Sequence, residues 1–395
     1  MATPDDGRLT LLTNLQLYSP EPQGKRHLLL AGGRVVWIGE QVPSLDQRLG
    51  AEVRDLAGRR VIPGLIDAHV HLTGGGGEAG FETRVPPVPL SRFTLGGITT
   101  VVGVLGTDDL TRSPAELVVT ARGLTALGLT AFCHTGGYHV PPATVTGSIR
   151  GDIVHLDPVL GVGELALSDH RSSQPTLEQL LQVAAEAHVA GLMTGKAGLV
   201  HLHLGDGPRG LELVRRAVTE SELPARVFHP THVNRRRALF DEALQLVPLG
   251  ITIDVTAFPV MPEEDAWSAT DALARYWQAG LPAERVTVSS DGGGCLPVFD
   301  RDGRVAAMGV GDPGALAQTV QELLGRGHTL GQILPPFTSN VARLLRLPRK
   351  GRLVPGADAD LVVLDHEGRI RDVMANGRWH VEQGRAVIRG TFEEA

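Results

Sequence analysis

Residues 65–77 read LIDAHVHLTGGGG. An apolar run from Leu65 to Val70 carries His69, is followed at once by His71, and breaks in the glycines Gly74 to Gly77. In an extended strand, residues i and i+2 point to one face, so the two imidazoles project together and can grip one ion. A lone histidine is ordinarily a satisfied core or surface residue. A pair at this spacing, at a strand end and before a glycine-rich loop, points to metal ligation.

Outward from this stretch the same unit recurs. Short apolar runs that end in polar residues fall at 65–71, 99–105, 127–134, 159–165, 199–204, 226–232, 251–256 and 286–290. Amphipathic stretches predict helices at 113–127, 176–190, 208–220, 236–247 and 268–279, with 313–326 and 337–345 after the last strand. Residues 135–157 read as a turn-rich loop rather than a helix. Strands alternating with helices indicate a parallel sheet, and eight of them close a barrel. The predicted fold is therefore α/β, a (β/α)8 TIM barrel with its chemistry at the C-terminal strand ends. Both chain ends lack helix periodicity and show short strands between Gly and Pro turns. They predict a small β-sandwich domain assembled from residues 1–61 and 347–395, with the barrel inserted at 62–346.

Composition agrees with this size and class. The 395 residues are 42% hydrophobic and 21% charged, close to an average globular protein and unlike a disordered chain. No apolar run reaches the roughly 18–20 residues of a membrane span. The net charge of −7, without a basic block, argues against nucleic acid as a partner. The opening MATPDDGRLT lacks the basic and apolar halves of a signal peptide, so a cytoplasmic location is expected. Cys133 and Cys295 are too few for a disulfide framework or a cysteine metal cluster. Lysine is confined to Lys25, Lys196 and Lys350, which a coding bias toward arginine explains but which limits where lysine chemistry can occur.

The other strand ends extend the ligand set. In the fifth strand His203 lies nearer the C-terminal end than His201, which reads as a buried, hydrogen-bonded histidine. In the sixth, His232 is preferred over His229, which precedes a proline. Asp291 closes the eighth strand; alone it would read as a turn or helix-capping residue, but beside these histidines it is a candidate ligand and proton acceptor. Glu164 stands in an apolar fourth strand, where burial without a cation is costly. Four histidines and two carboxylates suit two divalent ions bridged by a carboxylate and a water, whose pKa such a pair lowers.

The motif VIPGLIDAHVH at 61–71 and the returning segment GRLVPGADADL at 351–361 resemble the amidohydrolase superfamily. Within it the chain is similar to the isoaspartyl dipeptidases over nearly its whole length. The carrying segments are HVHLTGGGGEAGFETR, GVLGTDDLTRSP, GGYHVPPATVTGS, ALSDHRSS, HLGD, PTHVNRR, SSDGGG and the final GTFEEA. The resemblance implies metal-dependent hydrolysis of β-aspartyl dipeptides by a metal-bridged hydroxide, with two ions, most simply Zn2+, held by His69, His71, Glu164, His203, His232 and Asp291. Such a substrate presents one ammonium and two carboxylates. The resemblance assigns Glu78 to the amine, Arg171 and Arg235 to the carboxylates, and Tyr138 to the scissile carbonyl and its oxyanion. Gly76, Thr107 and Cys295 lie in matching segments as further substrate contacts. Outside the family the same residues have plainer readings: a helix first-turn acid, surface ion pairs, a packed aromatic.

Two departures accompany the resemblance. The family's bridge is a carboxylated lysine, and that position here is Glu164, several atoms shorter, so backbone or metals must shift if it bridges. Cys295 stands where the family tends to have serine, and a thiol is the weaker donor. The resemblance implies a homo-oligomer, an octamer. Two alternatives remain open at this point: an amidohydrolase acting on another amide (a cyclic amide or an N-acyl amino acid), and a barrel that only binds.

Overall fold

The computed structural model describes residues 9–299 and 305–394; the first eight residues of the expected N-terminal β segment, with most of the MATPDDGRLT opening, lie outside them. Nine strands from the two chain ends form one mixed, hydrogen-bonded sheet. It forks at the strand Thr10–Tyr18, whose first half runs parallel to Glu52–Asp55 and whose second half pairs with Arg60–Pro63. The C-terminal strand Leu361–Leu364 joins antiparallel to Arg60–Pro63, which fuses the two ends into one unit. Side-chain alternation here serves two cores. Val61, Leu361 and Val363 pack with Leu12, Leu15 and Leu28 inside the sheet's own core, whereas Ile62, Val362 and Leu364 belong to the barrel's core. Burial on both faces explains why these strands are continuously apolar. Lys350 pins the seam: its ammonium lies 2.6 Å from Asp360 and donates to Thr130 at the start of the third barrel strand.

The inserted region contains the predicted parallel strands. Leu65–Val70, Ile98–Gly103, Thr130–Thr135, Val159–Leu167, Val200–Leu204 and Phe228–Thr231 are hydrogen-bonded in that order. Ile253–Thr256 and Val286–Ser289 form a further parallel pair. Thr231 reaches Asp254 across the first gap at 2.7 Å, and the amide of His71 donates to Gly292 at 2.9 Å, which brings the eighth strand back to the first. The helices follow their sequence signals. Leu177–Thr194 starts at a reciprocal cap between Thr176 and Gln179 and buries Leu180, Val183, Ala184 and Ala187. No helix among the described residues is long and apolar enough to cross a membrane.

Several elements differ from the sequence expectation, including the short helices Leu90–Leu95 and Leu330–Ile333, which it did not name. The 135–157 segment is not all loop, because Ile149–His155 is a helix. Ser148 caps it, Ile149 and Ile153 are buried, and the Lys196 ammonium binds the carbonyls of Ile153 and Leu156 at 2.7 and 2.8 Å. About two helical turns are too short to register as periodicity. After the eighth strand, Cys295–Phe299 and Val305–Val310 pair as an antiparallel hairpin beside the strand ends, which the sequence reading passed over.

Candidate active site

The first barrel strand ends at Val70, so His69 and His71 straddle its C-terminal edge on one face. Asp67 shares that face one step deeper. Fully buried, it accepts from the amides of Ser290 and His69 at 3.1 and 3.3 Å and from the Ser290 hydroxyl, which locks the first strand to the eighth just before Asp291. Burial raises its pKa to about 7 despite those donors.

Glu164 lies at the centre. Its Oε1 is 3.3 Å from His71 Nε2, while its Oε2 faces His203 Nδ1 at 3.0 Å and the Nε2 atoms of His69 and His232 at 3.5 Å. Asp291 Oδ1 sits 3.1 Å from His71 and 3.4 Å from His69. The fourth strand presents Glu164 through a local register change: Val162 pairs with Val200 but Leu165 with Leu202, so one extra residue is accommodated between them. Gly163 in that bulge has φ +145°, and a Cβ there would lie 2.5 Å from the His201 carbonyl. The backbone thereby sets the level at which the short Glu164 side chain enters the cluster.

The six side chains form three overlapping groups, each able to surround an ion: His69 with His232 and Asp291, His69 with His71 and Glu164, and Glu164 with His203 and His232. Several of their buried polar atoms lack hydrogen-bond partners among the described residues, including His69 Nε2, Glu164 Oε1 and Asp291 Oδ1. Stranding such atoms in a dry site is costly, and divalent cations would satisfy them. The opposite imidazole nitrogens are already engaged, His69 Nδ1 with His201 at 2.7 Å and His232 Nδ1 with Thr256 at 2.8 Å. Ligating histidines are oriented in this way in metal sites. The cluster is thus consistent with a binuclear metal site. Without metal, burial disfavours charge on His71, but Asp291 and Glu164 outweigh it and raise its pKa to about 10. Burial likewise opposes charge on Glu164, and the surrounding histidines overcome it, holding the carboxyl well below its usual range. His232 goes the other way, pushed down to about 3 by burial.

Above the cluster opens a cavity of about 590 Å3. Its wall includes His71, Glu164, His203, His232 and Asp291, together with every residue matched to the family's substrate contacts: Gly76, Glu78, Thr107, Tyr138, Arg171, Arg235 and Cys295. His69 lies beneath the floor. Glu78 Oε1 accepts from Thr107 at 2.9 Å and Arg171 at 3.3 Å, and its Oε2 has no hydrogen-bond partner among the described residues. The Tyr138 hydroxyl lies 2.9 Å from His203, and burial raises its pKa well above the usual value, which keeps the proton available for donation. Arg235 spans the Leu204 carbonyl at 2.8 Å and Asp206 at 3.1 Å.

His201 is buried below the floor, as expected for a hydrogen-bonded histidine, and contacts His229 at 2.9 Å. His229 reaches Thr287 at 3.0 Å, and Thr287 donates to Asp254 at 2.6 Å. Two partners of the site escaped the sequence reading, Thr256 behind His232 and Asp169 between His203 and Arg171. Asp169 stands inside the SDHR segment already quoted, two residues before Arg171, and that proximity was the available signal.

Comparison with known proteins agrees with this architecture. The sequence pattern of the amidohydrolase family matches residues 60–380. An imidazolonepropionase of Streptomyces coelicolor is 28% identical over 86% of this chain and 85% of its own length. A dihydroorotase of Anaplasma phagocytophilum is 25% identical over 87% of the chain and 82% of its own length. A β-aspartyl dipeptidase from Fervidobacterium islandicum AW-1, crystallised with the dipeptide β-Asp-Leu, is 41% identical, covers 96% of this chain and 98% of its own, and superposes with a TM-score of 0.90. The chain belongs to the amidohydrolase family and, within it, to the group of β-aspartyl dipeptidase homologues.

Proposed function

We propose that this chain hydrolyses isoaspartyl dipeptides with two divalent metal ions, zinc being the ion that a histidine and carboxylate set suits. One observation carries the reading: in the cavity above the cluster, whose lining also includes Arg112, Arg236 and Asp206, Glu78 presents an unpartnered oxygen together with the guanidinium groups of Arg171 and Arg235. That charge pattern complements one ammonium and two carboxylates, which a neutral cyclic amide does not present. The 41% identical relative crystallised with β-Asp-Leu adds support.

When bound, the ions would lower the pKa of a coordinated water and polarise the scissile carbonyl. His69, His71, His203, His232 and Asp291 would hold them, with Glu164 between the two histidine sets. Glu78 takes the α-ammonium, and Arg171 and Arg235 take the two carboxylates, which fixes the amide over the cluster. Tyr138, kept protonated, hydrogen-bonds the carbonyl oxygen as negative charge develops, a contribution of about 3–4 kcal/mol for comparable donors. Asp291 accepts the proton of the attacking water and returns it to the leaving amine.

The test is a rate comparison with metal-replete protein on β-Asp-Leu, α-Asp-Leu and a cyclic amide such as dihydroorotate. Selective cleavage of the β isomer is the expected result. Turnover of the cyclic amide without β-Asp-Leu cleavage would replace this reading.

A further inference from the structure

Asp169 is used by none of the steps above, yet it is buried at the junction of the cluster and the cavity, at 5% exposure. It lies in the turn after the fourth barrel strand, and that turn is fastened to the loop after the fifth. Gly205 N donates to Leu167 O at 3.0 Å, Gly207 N to Ser168 O at 2.6 Å, and Ser168 Oγ to Gly207 O at 2.8 Å. A Cβ on Gly205 would fall 2.4 Å from Asp169 Cβ, so the approach tolerates only glycine. Besides His170, whose Nδ1 lies 3.6 Å from Oδ1, the carboxylate serves two side chains of the site. Oδ1 accepts from the Arg171 amide at 2.8 Å and Nε at 3.0 Å; Oδ2 accepts from Arg171 Nη2 at 2.8 Å and faces His203 Nε2 at 3.1 Å.

The ring of His203 is therefore bracketed. Nδ1 faces Glu164 at 3.0 Å, and Nε2 faces Asp169. Tyr138 and Arg235 also approach Nε2, at 3.2 and 3.3 Å, but the guanidinium is only a donor and the hydroxyl is neutral. Asp169 is the anionic acceptor, and a carboxylate behind a ligating histidine fixes its tautomer and raises its strength as a ligand. Resting on the reading of His203 as a ligand and Arg171 as a substrate contact, we propose that Asp169 is a positioning residue that couples the metal centre to substrate recognition through its shared Oδ2. A displacement of Arg171 by an incoming carboxylate then bears directly on the atom that orients His203.

The test compares wild-type protein, Asp169→Asn and Arg171→Gln, each metal-loaded, dialysed against graded chelator for metal counting and assayed for β-Asp-Leu KM and kcat. Arg171→Gln is expected to raise KM about tenfold and keep two metals at saturating metal, with a smaller loss of chelator resistance than Asp169→Asn. Asp169→Asn, which turns an amide N–H toward donors, is expected to raise KM similarly and lose one metal at chelator levels 10–100-fold lower than wild type. Wild-type metal retention in Asp169→Asn would overturn the coupling and leave Asp169 a partner of Arg171 alone. Should Asp169→Asn fail to fold by circular dichroism, a metal-loaded wild-type crystal structure decides. His203 Nδ1 on the metal with Nε2 against Asp169 supports the proposal, and Nε2 on the metal overturns it. Wild-type protein that keeps two metals but does not cleave β-Asp-Leu would defeat the substrate reading and the KM half of the coupling, while the metal counts still judge the hold on His203.

Discussion

Two strands of the barrel carry a His-x-His pair, and the pairs have different fates. On the first strand, His69 and His71 both reach Glu164 and Asp291. On the fifth, only His203 faces Glu164; His201 sits below and bonds to His69 on one side and His229 on the other. Identical spacing has produced two ligand candidates in one strand and a ligand candidate plus its neighbour's support in the other. The difference lies in depth. The first strand stops at Val70, between its histidines' levels, whereas the fifth runs on to Leu204, which lowers His201 into the barrel core. Spacing sets the face of a strand that a side chain occupies, and the strand end sets its height.

The largest expected effect separates the members of the fifth-strand pair. His203→Ala should remove one of two metals per chain and lower β-Asp-Leu turnover by about three orders of magnitude or more. His201→Ala should retain two metals at saturating metal while weakening their binding by 10–100-fold, read by chelator competition, because His69 loses the group that orients it. Equal metal loss in the two variants would erase the distinction between the pairs.

A second expectation concerns protons. In the metal-free site His71 has a pKa of about 10, so near neutral pH a metal must displace its proton. Metal binding then tightens as pH rises from 6 to 9, by about tenfold per pH unit for each proton released. In the metal-free protein the same charged His71 adds stability that is complete below its unfolded pKa of about 6.5 and fades as pH climbs toward 10. His229 has the opposite sign: its pKa is near 3, so its contribution is present above about 6.5 and is lost as pH falls through that window. Metal affinity that is flat from pH 6 to 9 would contradict the first of these statements.

A smaller effect tests how Glu164 reaches the cluster. Gly163→Ala places a Cβ against the His201 carbonyl in a backbone conformation that suits glycine, and should cost about 1–3 kcal/mol of stability. Metal retention should fall with it. A variant as stable and as metal-rich as wild type would show that the bulge does not deliver Glu164.

Much of this site was legible because it sits at strand ends, where polar residues interrupt apolar runs. His71, His203, His232 and Asp291 announce themselves in that way, and Glu164 stands out as an acid inside an apolar strand. The choice of His203 over His201 needed only its nearness to the strand terminus. The cavity residues were different: Glu78, Tyr138, Arg171 and Arg235 lie in loops with no periodicity, and their matching to a family's segments supplied the reading. Asp169 stayed hidden because an acid two residues from an arginine looks like a local ion pair. Its second partner, His203, is 34 residues away, and only the folded chain brings the two together. The hairpin at 295–310 and the helix Ile149–His155 escaped for want of length and alternation.

The central claim is that Glu164 serves at the position where the resemblance implies a carboxylated lysine, so the binuclear centre needs no carbon dioxide to assemble. Metals per chain, counted after reconstituting the metal-free protein in carbonate-free buffer and again with bicarbonate, test it most directly. The account predicts close to two ions per chain in both buffers, with equal β-Asp-Leu turnover. One ion or fewer without bicarbonate, restored to two by its addition, would contradict it.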